Sequence, residues 1–365
     1  MYLMYLNEQH NVIPSAELVS DVTHVALAFL KAATFTTTVR PDPWPLFTSV
    51  EEVREKFPQS IKVIVSIGGW GDDEGWPNAA ANDISRKQFA HSVATMVYDT
   101  GADGVDIDWE YPGGNGEDYK QIPNDERMWE IEAYPRLLAE IRTALGSNKI
   151  MSAAVPGLRR DMIAFTSQTM PQIMESLDFL NAMTYDLMNR RDNVTKHHTG
   201  IRASIDSVDA YVDMGVPPAK INLGFAFYVK WFQTDPGVDC SEHPVGCKTA
   251  LMEDPKTGKD LGKAGAFSWH DRVPEELEES FVRALKYGRF DSEGGGHFYW
   301  DQGENRFWTW DTPELIAKKV PQIIEKKRLG GTFAWSLGED AEEFKHFKAL
   351  TAALNTQSRP IKGEL

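Results

Sequence analysis

Acidic side chains alternate along one short apolar segment of the chain. Residues 103–110 read Asp-Gly-Val-Asp-Ile-Asp-Trp-Glu, so Asp106, Asp108 and Glu110 occupy every second position. In an extended strand these three side chains share one face, and the apolar residues between them share the other. Buried like charges repel each other, and folding alone gives no reason to build such a row. We therefore expect three carboxyl groups that share protons and perform acid–base chemistry.

Glu110 is the candidate acid of this row. It falls at the C-terminal end of a predicted strand, which is where barrel enzymes place their reacting groups. Two other interpretations stay open. The strand can be exposed or satisfied by arginines, or it can bind magnesium, calcium or manganese, which prefer carboxylate oxygens. The alternating pattern does not supply the surrounding oxygen cage of a calcium loop.

Eight apolar, β-branched runs predict the strands that must position this row. They span residues 2–6, 24–30, 62–67, 104–110, 150–155, 179–185, 221–227 and 332–336. Runs this uniformly apolar are typical of parallel strands that helices cover on both faces. Eight alternations of strand and helix predict an α/β fold, a closed (β/α)8 TIM barrel, with a doubly wound open sheet as the alternative.

The sequence contains signals for the starts, ends or kinks of three helices. Between the third and fourth strands, apolar residues recur at three- and four-residue steps, with Asp83 as the predicted N-cap and Gly101 just past the end. Before the fifth strand, Pro135 is predicted to lie in the first turn of a helix. The helix over residues 312–328 precedes the last strand, and Pro321 is expected to kink it.

The interval between the seventh and eighth strands is too long for one crossover helix. We expect residues 229–309 to form a small α+β insertion that lines the substrate cleft, and residues 1–228 and 310–365 to form the barrel. The insertion is rich in aromatic residues, which predicts a small core of its own. Cys240 and Cys247 both lie in it and can form a disulfide if the compartment is oxidising, a pairing that the sequence leaves open.

Composition excludes several classes of partner. The chain is 42% hydrophobic and 25% charged, which predicts a globular protein, and its formal charge is -16. That charge disfavours nucleic acid and anionic lipid. No apolar run reaches the length of a membrane-spanning helix. Residues 1–6 lack the features of a secretory signal and are predicted to form a strand, so a signal was either removed or never present.

Five motifs resemble those of one enzyme family. Residues 103–110 resemble the DGxDxDWE signature of family 18 glycoside hydrolases, and Tyr111-Pro112 resembles its usual continuation. Residues 66–70 resemble the SxGG motif of the third strand, and residues 183–186 resemble the MTYD motif of the sixth. Segments 223–228 and 331–335 are similar to the motifs of the seventh and eighth strands. The resemblance runs almost end to end and implies a chitinase that hydrolyses β-1,4 linkages between N-acetylglucosamine units.

The resemblance also implies a mechanism and a set of roles. Glu110 protonates the leaving oxygen, and the nucleophile is the substrate's own N-acetyl carbonyl oxygen, so the configuration is retained. Asp108 orients the acetamido group and stabilises the oxazolinium-like intermediate, Asp106 shares a proton with Asp108, and Tyr185 hydrogen-bonds the carbonyl oxygen. The implied substrate-binding residues are Trp335, Met183, Asp186, Tyr228, Trp109 and Tyr111. Trp70 and Trp231 are further candidates, because an aromatic face can pack against a pyranose, with ordinary packing as the alternative for both.

The chain departs from the family pattern after the seventh strand. The usual Tyr-Gly-Arg reads Tyr228-Val229-Lys230 here, and Lys230 cannot make the two-pronged contact of an arginine. His197 and His198 are interpreted as loop residues, since adjacent histidines point different ways and no third zinc ligand is spaced to join them.

Two other functions remain as alternatives to chitin hydrolysis. One is an endo-β-N-acetylglucosaminidase on N-glycans, although Trp109 between the last two acids favours a chitinase. The other is a non-catalytic chitin-binding lectin, although such proteins typically lack the acid that is present here as Glu110. We expect an extracellular monomer that acts on chitin or chitooligosaccharides without a cofactor or metal.

Overall fold

The computed structural model describes residues 1–340 and 343–357. Eight parallel strands form a closed barrel at its centre. They are β1 Tyr2–Asn7, β2 His24–Leu30, β3 Lys62–Gly68, β4 Gly104–Asp108, β5 Ile150–Val155, β6 Phe179–Ala182, β7 Ile221–Ala226 and β13 Gly331–Trp335. The order around the barrel is β1-β13-β7-β6-β5-β4-β3-β2. The predicted (β/α)8 TIM barrel is confirmed.

Helices surround this barrel, apart from α8, which packs on a second sheet described below. They are α1 Val50–Lys56, α2 Gly75–Ala80, α3 Asp83–Asp99, α4 Asn124–Arg127, α5 Glu130–Leu145, α6 Met170–Ser176, α7 Ile201–Asp213, α8 Glu275–Tyr287, α9 Pro313–Lys319 and α10 Lys345–Gln357. A π-helical stretch, Val320–Glu325, follows α9 and contains Pro321, so the regular α-helix ends where the proline was expected to disturb it.

Two predicted helix starts are wrong, one by a single residue and the other by more than one turn. The side chain of Asn82, not Asp83, caps α3, because its oxygen accepts the backbone N–H groups of Ile84 and Ser85. Pro135 lies inside α5 rather than in its first turn, since that helix already begins at Glu130. Apolar periodicity located both helices, but it does not mark where the first turn begins.

The barrel strands bury different residues on their two faces. Apolar residues that point outward join the helices in one large core, which includes the residues at alternate positions of β4. A smaller cluster fills the inside of the barrel: Leu3, Tyr5, Ala26, Ala28, Ile64, Ala154, Phe179, Met183 and Phe333. This separation is the expected consequence of side-chain alternation along parallel strands.

A second, five-stranded sheet follows β7. Its strands are β8 Tyr228–Gln233, β9 Ala264–Ser268, β10 Arg289–Asp291, β11 Gly296–Asp301 and β12 Arg306–Trp310, and they are arranged in the order β10-β11-β12-β8-β9. Aromatic residues of this sheet form two clusters of their own, one of them with α8. Cys240 and Cys247 form a disulfide nearby. Within the described ranges, no helix is long and apolar enough to cross a membrane.

Candidate active site

Asp106 lies inside the barrel and is fully enclosed by hydrogen-bond donors. Tyr5 and Ser66 donate to its Oδ2 at 2.7 Å and 2.9 Å. Ser152 and Asn181 donate to its Oδ1 at 2.6 Å and 3.2 Å. Burial raises the pKa of Asp106, while these four donors oppose the rise. These four donors occupy both oxygens of Asp106, and the expected sharing of a proton with Asp108 stays a prediction.

Asp108 is the acid of the row whose burial is least offset by hydrogen bonds. Its side chain is 3% exposed, and its Oδ1 is buried without a hydrogen-bond partner. Burial raises its pKa well above the usual range, and the charges of Glu110 and Asp106 raise it further. An unpaired buried acceptor costs about 1–3 kcal/mol, so this oxygen is arranged for a donor that the folded chain itself does not provide.

Glu110 follows β4 at the mouth of the barrel and is half-buried. Burial raises its pKa to about 8, and the nearby Asp186 carboxylate also raises it. A carboxyl group with this pKa keeps its proton at neutral pH, which is the requirement for a general acid. The acidic row therefore combines an enclosed carboxylate, an unpaired carboxyl and an accessible acid within five residues of sequence.

Tyr185 and Asp186 follow β6 and face the acidic row. Burial and the charges of Asp108 and Glu110 raise the pKa of Tyr185, so its hydroxyl stays a hydrogen-bond donor. Asp186 accepts bonds on Oδ1 from the Tyr228 hydroxyl at 2.8 Å and the Lys230 ammonium at 2.9 Å. Burial opposes ionisation of Asp186, but Lys230 and His198 together outweigh it, so the pKa of Asp186 is lowered.

Lys230 therefore retains a place in the site despite departing from the family motif. A single ammonium contact holds Asp186, where a guanidinium could make two. His198 also lies beside Asp186, with its Nδ1 3.8 Å from Asp186 Oδ1. This histidine is in a loop, as expected, but it is fully buried, and sequence reasoning did not connect it with the site.

Aromatic and apolar side chains form a floor beside the acidic row. Trp335 ends β13 and is partly buried against the interior cluster, which includes Met183. Its ring stacks on Phe29 with centroids 5.2 Å apart and planes inclined by 15°. Tyr111, next to Glu110, also packs on this cluster. Phe29 was missed from sequence because a single aromatic residue at a strand end gives no distinctive signal.

Trp70 lies at the rim of the site. It is 45% exposed, and its ring centroid is 6.3 Å from that of Tyr111. The Arg191 guanidinium lies 5.6 Å from the Trp70 ring and 3.8 Å from the Tyr119 ring. Arg191 also donates to the backbone oxygens of Asn115 and Gly116, both at 2.8 Å, and so ties the loop after β4 to this rim.

Trp109 does not line the cleft, contrary to expectation. It is 2% exposed, stacks on Trp76 with centroids 5.4 Å apart, and meets Tyr134 edge to face. Its position between Asp108 and Glu110 turns it toward the helices by strand alternation.

Trp231 was also expected to line the cleft and does not share the Asp186 side of β8. Tyr228 and Lys230 both reach Asp186, so the residues at alternate positions point the other way. Trp231 packs with the cluster around α8, and the Arg306 guanidinium lies 5.0 Å from its ring. Side-chain alternation places the three acids on one face of β4. In the same way it places Trp231 on the face of β8 opposite to Tyr228 and Lys230.

A barrel with a protonated carboxyl at its C-terminal mouth, an unpaired buried carboxyl and a tyrosine donor beside them defines a glycoside hydrolase of the TIM-barrel class. The chain belongs to the glycosyl hydrolases family 18, whose family model matches residues 1–340. Among the residues that the structure describes, no three histidine, cysteine or acidic side chains are placed to hold a metal ion.

Known proteins resemble the chain over most of its length. Chitinase 1 of Aphanocladium album is 28% identical over 297 residues, which are 77% of this chain and 62% of that protein. The chain thus spans less than two thirds of this relative.

Solved structures show the same fold. An N-acetylglucosaminidase of family 18 from Paenibacillus barengoltzii has a TM-score of 0.73 at 23% identity, covering 96% of this chain and 99% of that one. A mutant chitinase from Cycas revoluta in complex with (GlcNAc)4 has a TM-score of 0.70 at 21% identity, covering 97% and 99%.

Proposed function

We propose that the protein is a chitinase that hydrolyses β-1,4 linkages of N-acetylglucosamine polymers and oligomers by a retaining, substrate-assisted mechanism. The main support is the buried Oδ1 of Asp108, which has no partner and lies in the row that ends at the acid Glu110. An acetamido N–H is a donor of the kind this oxygen lacks. The Cycas revoluta relative, which shares the fold, was crystallised with (GlcNAc)4.

The reaction proceeds in two steps. In the first, the acetamido carbonyl oxygen attacks the anomeric carbon, the glycosidic C–O bond breaks, and Glu110 gives its proton to the leaving oxygen. The product is a cyclic oxazolinium ion. In the second step, Glu110, now a carboxylate, takes a proton from water, and the water oxygen opens the ring at the anomeric carbon. Two inversions leave the β configuration unchanged.

The neighbours of Glu110 support these steps. Asp108 accepts the acetamido N–H and, when ionised, stabilises the positive oxazolinium ion. Tyr185 donates to the carbonyl oxygen and turns it toward the anomeric carbon. Asp106 stays enclosed by its four donors, and its charge helps to raise the pKa of Asp108.

The sugar to be cleaved lies on Trp335, because an aromatic ring packs well against the apolar face of a pyranose. The remaining proposed contacts come from Met183, Asp186, Tyr228, Tyr111 and, at the rim, Trp70.

We place the insertion, residues 229–309, along one side of the cleft, since Tyr228 and Lys230 of β8 both contact Asp186. Residues 358–365 of the expected barrel segment lie outside the described residues.

Extracellular action as a monomer completes the proposal. The Cys240–Cys247 disulfide is the kind of bond that persists in oxidising compartments, and an insoluble polymer requires an enzyme outside the cell.

Two assays separate chitin hydrolysis from its alternatives. Cleavage of chitotetraose supports a chitinase, release of glycans from a glycoprotein supports an endo-β-N-acetylglucosaminidase, and binding without either reaction supports a lectin.

The first sugar product released from chitotetraose is expected to be the β-anomer. Attack by the acetamide inverts the anomeric carbon once and attack by water inverts it again, so the original configuration returns. NMR of the fresh product, recorded before mutarotation, measures the ratio of anomers. An excess of the α-anomer would contradict participation of the acetamide.

Activity is expected to fall as the pH rises through about 8. Burial raises the pKa of Glu110 to about 8, and only its protonated form can donate to the leaving oxygen, so the active form is present below this pH and lost above it. The measurement is kcat/KM for chitotetraose against pH, with circular dichroism to show that the protein stays folded. An alkaline limb near 4.5, the ordinary value for glutamate, would disprove the assignment.

A further inference from the structure

A recess opens next to Trp335, beside the ends of β1 and β2. It lies among Glu8, just after β1, Ala28 and Phe29 near the end of β2, and residues 45–47 of the following loop. Its volume is about 290 Å³, near the lower limit of sites that bind small molecules. In the closed barrel, β1 and β2 lie between β13, which carries Trp335, and β3, which is followed by β4 and the acid Glu110.

The recess is continuous with the tryptophan floor. Phe29 lines the recess and also stacks on Trp335 with centroids 5.2 Å apart. Asn7, immediately before Glu8, donates to the Ser336 hydroxyl, the residue after Trp335, at 2.8 Å. A sugar chain that extends from Trp335 over Phe29 therefore runs into the recess.

The lining of the recess combines apolar side chains with one carboxylate. Phe29, Leu46 and Phe47 offer surfaces on which a pyranose can pack. Glu8 is exposed and is the sole ionisable residue of this lining. Across residues 1–340 and 343–357, the hydrogen bonds and ion pairs include none made by the Glu8 side chain. A neutral N-acetylglucosamine unit offers no charge to such a group.

We propose that the recess binds a glucosamine unit of partly deacetylated chitin, with its ammonium group against the Glu8 carboxylate. The unit on Trp335 remains acetylated, because its acetamide is the nucleophile; the inference rests in this respect on the proposed function. The formal charge of -16 adds a long-range attraction for a polymer that carries ammonium groups. The protein thus favours mixed polymers in which glucosamine precedes N-acetylglucosamine on the non-reducing side.

Products from partly N-acetylated chitosan test this directly. The digest is run at low salt and at a pH that keeps the amines protonated, and the oligomers are sequenced by mass spectrometry. The reducing-end unit of each product should be N-acetylglucosamine. In the unit adjoining it, the ratio of glucosamine to N-acetylglucosamine should exceed that of the substrate by about twofold to fivefold, the size expected for one exposed ion pair. Added salt should reduce this enrichment.

Two variants with the same change of charge separate the recess from the overall charge of the protein. Glu8→Gln should abolish the enrichment, whereas Glu175→Gln, at an exposed position on α6, should retain it. A random adjoining unit in the wild-type products, or equal enrichment in the Glu8 variant, overturns the inference while reducing-end N-acetylglucosamine still supports the proposed function. A wild-type protein that fails to cleave chitotetraose overturns the proposed function and this inference with it.

Discussion

Replacement of Glu110 by glutamine is expected to reduce turnover of chitotetraose by about 100-fold to 10,000-fold, the range that a positioned general acid contributes. Glutamine keeps the shape of the side chain but has no proton to give to the leaving oxygen. Binding should survive, since Trp335 and the other proposed contacts remain. Initial rates and the dissociation constant for the same oligosaccharide, measured by calorimetry, separate the two effects.

A substrate with a better leaving group sharpens this test. An aryl glycoside that expels an acidic phenol needs little protonation, so Glu110→Gln should lose much less activity on it than on chitotetraose in the bond-breaking step. Glu175→Gln is the matched control, because it makes the same change at an exposed position on α6. Near-normal hydrolysis of chitotetraose by Glu110→Gln would refute the assignment of the acid.

Replacement of Asp108 by asparagine is expected to lower kcat by about 100-fold to 1,000-fold, as removal of one preorganised electrostatic contact does in other enzymes. The asparagine is nearly isosteric but carries no charge to stabilise the oxazolinium ion. The same substitution should leave Tm unchanged or raise it, because burial and two neighbouring carboxyls disfavour the ionised form of Asp108.

The combination of these two readouts distinguishes a catalytic from a structural role. A residue needed mainly for folding would lower Tm and kcat together. Asp103→Asn provides the contrast at the other end of the same strand, where Asp103 accepts bonds from Arg54 and from the Val63 backbone N–H. That variant should lower Tm. An Asp108 variant with a lower Tm and normal kcat would contradict the proposed role.

Strand positions were predictable because each barrel strand is buried on both faces and must be apolar over most of its length. The predicted bounds of β2 and β5 agree with the structure, and those of β1 and β3 agree to within a residue. The predicted fourth and sixth strands were too long. Glu110 and Tyr185, which are proposed to act on the substrate, follow β4 and β6, where the regular hydrogen bonding between the strands ends.

The hydrogen-bond shell of Asp106 was missed, although the sequence contains a signal for it. Ser66, Ser152 and Asn181 each interrupt an otherwise apolar strand at an inward-facing position. A small polar residue buried in a strand needs a partner, and three of them on neighbouring strands indicate a shared one. Which carboxyl they surround depends on the strand register, which places Ser66 and Ser152 beside Asp106.

Two of the tryptophans predicted to bind the substrate lie elsewhere in the structure. Trp109 was predicted because it belongs to the signature, and Trp231 because an aromatic ring can pack against a sugar. Alternation along β4 and β8 places each one on the face opposite to the charged residues. Trp335 ends its strand beside the interior cluster, so geometry and resemblance agree there.

Graded fluorination of the substrate's acetamide tests the central claim most directly. Aryl chitobiosides are compared in which the N-acetyl methyl of the unit bound on Trp335 carries zero, one, two or three fluorine atoms. Fluorine withdraws electrons from the carbonyl oxygen, so kcat should fall steeply with each atom if that oxygen attacks the anomeric carbon. A rate that stays nearly constant across the series would show that a group of the enzyme or water attacks instead, and would contradict the mechanism built on Asp108 and Glu110.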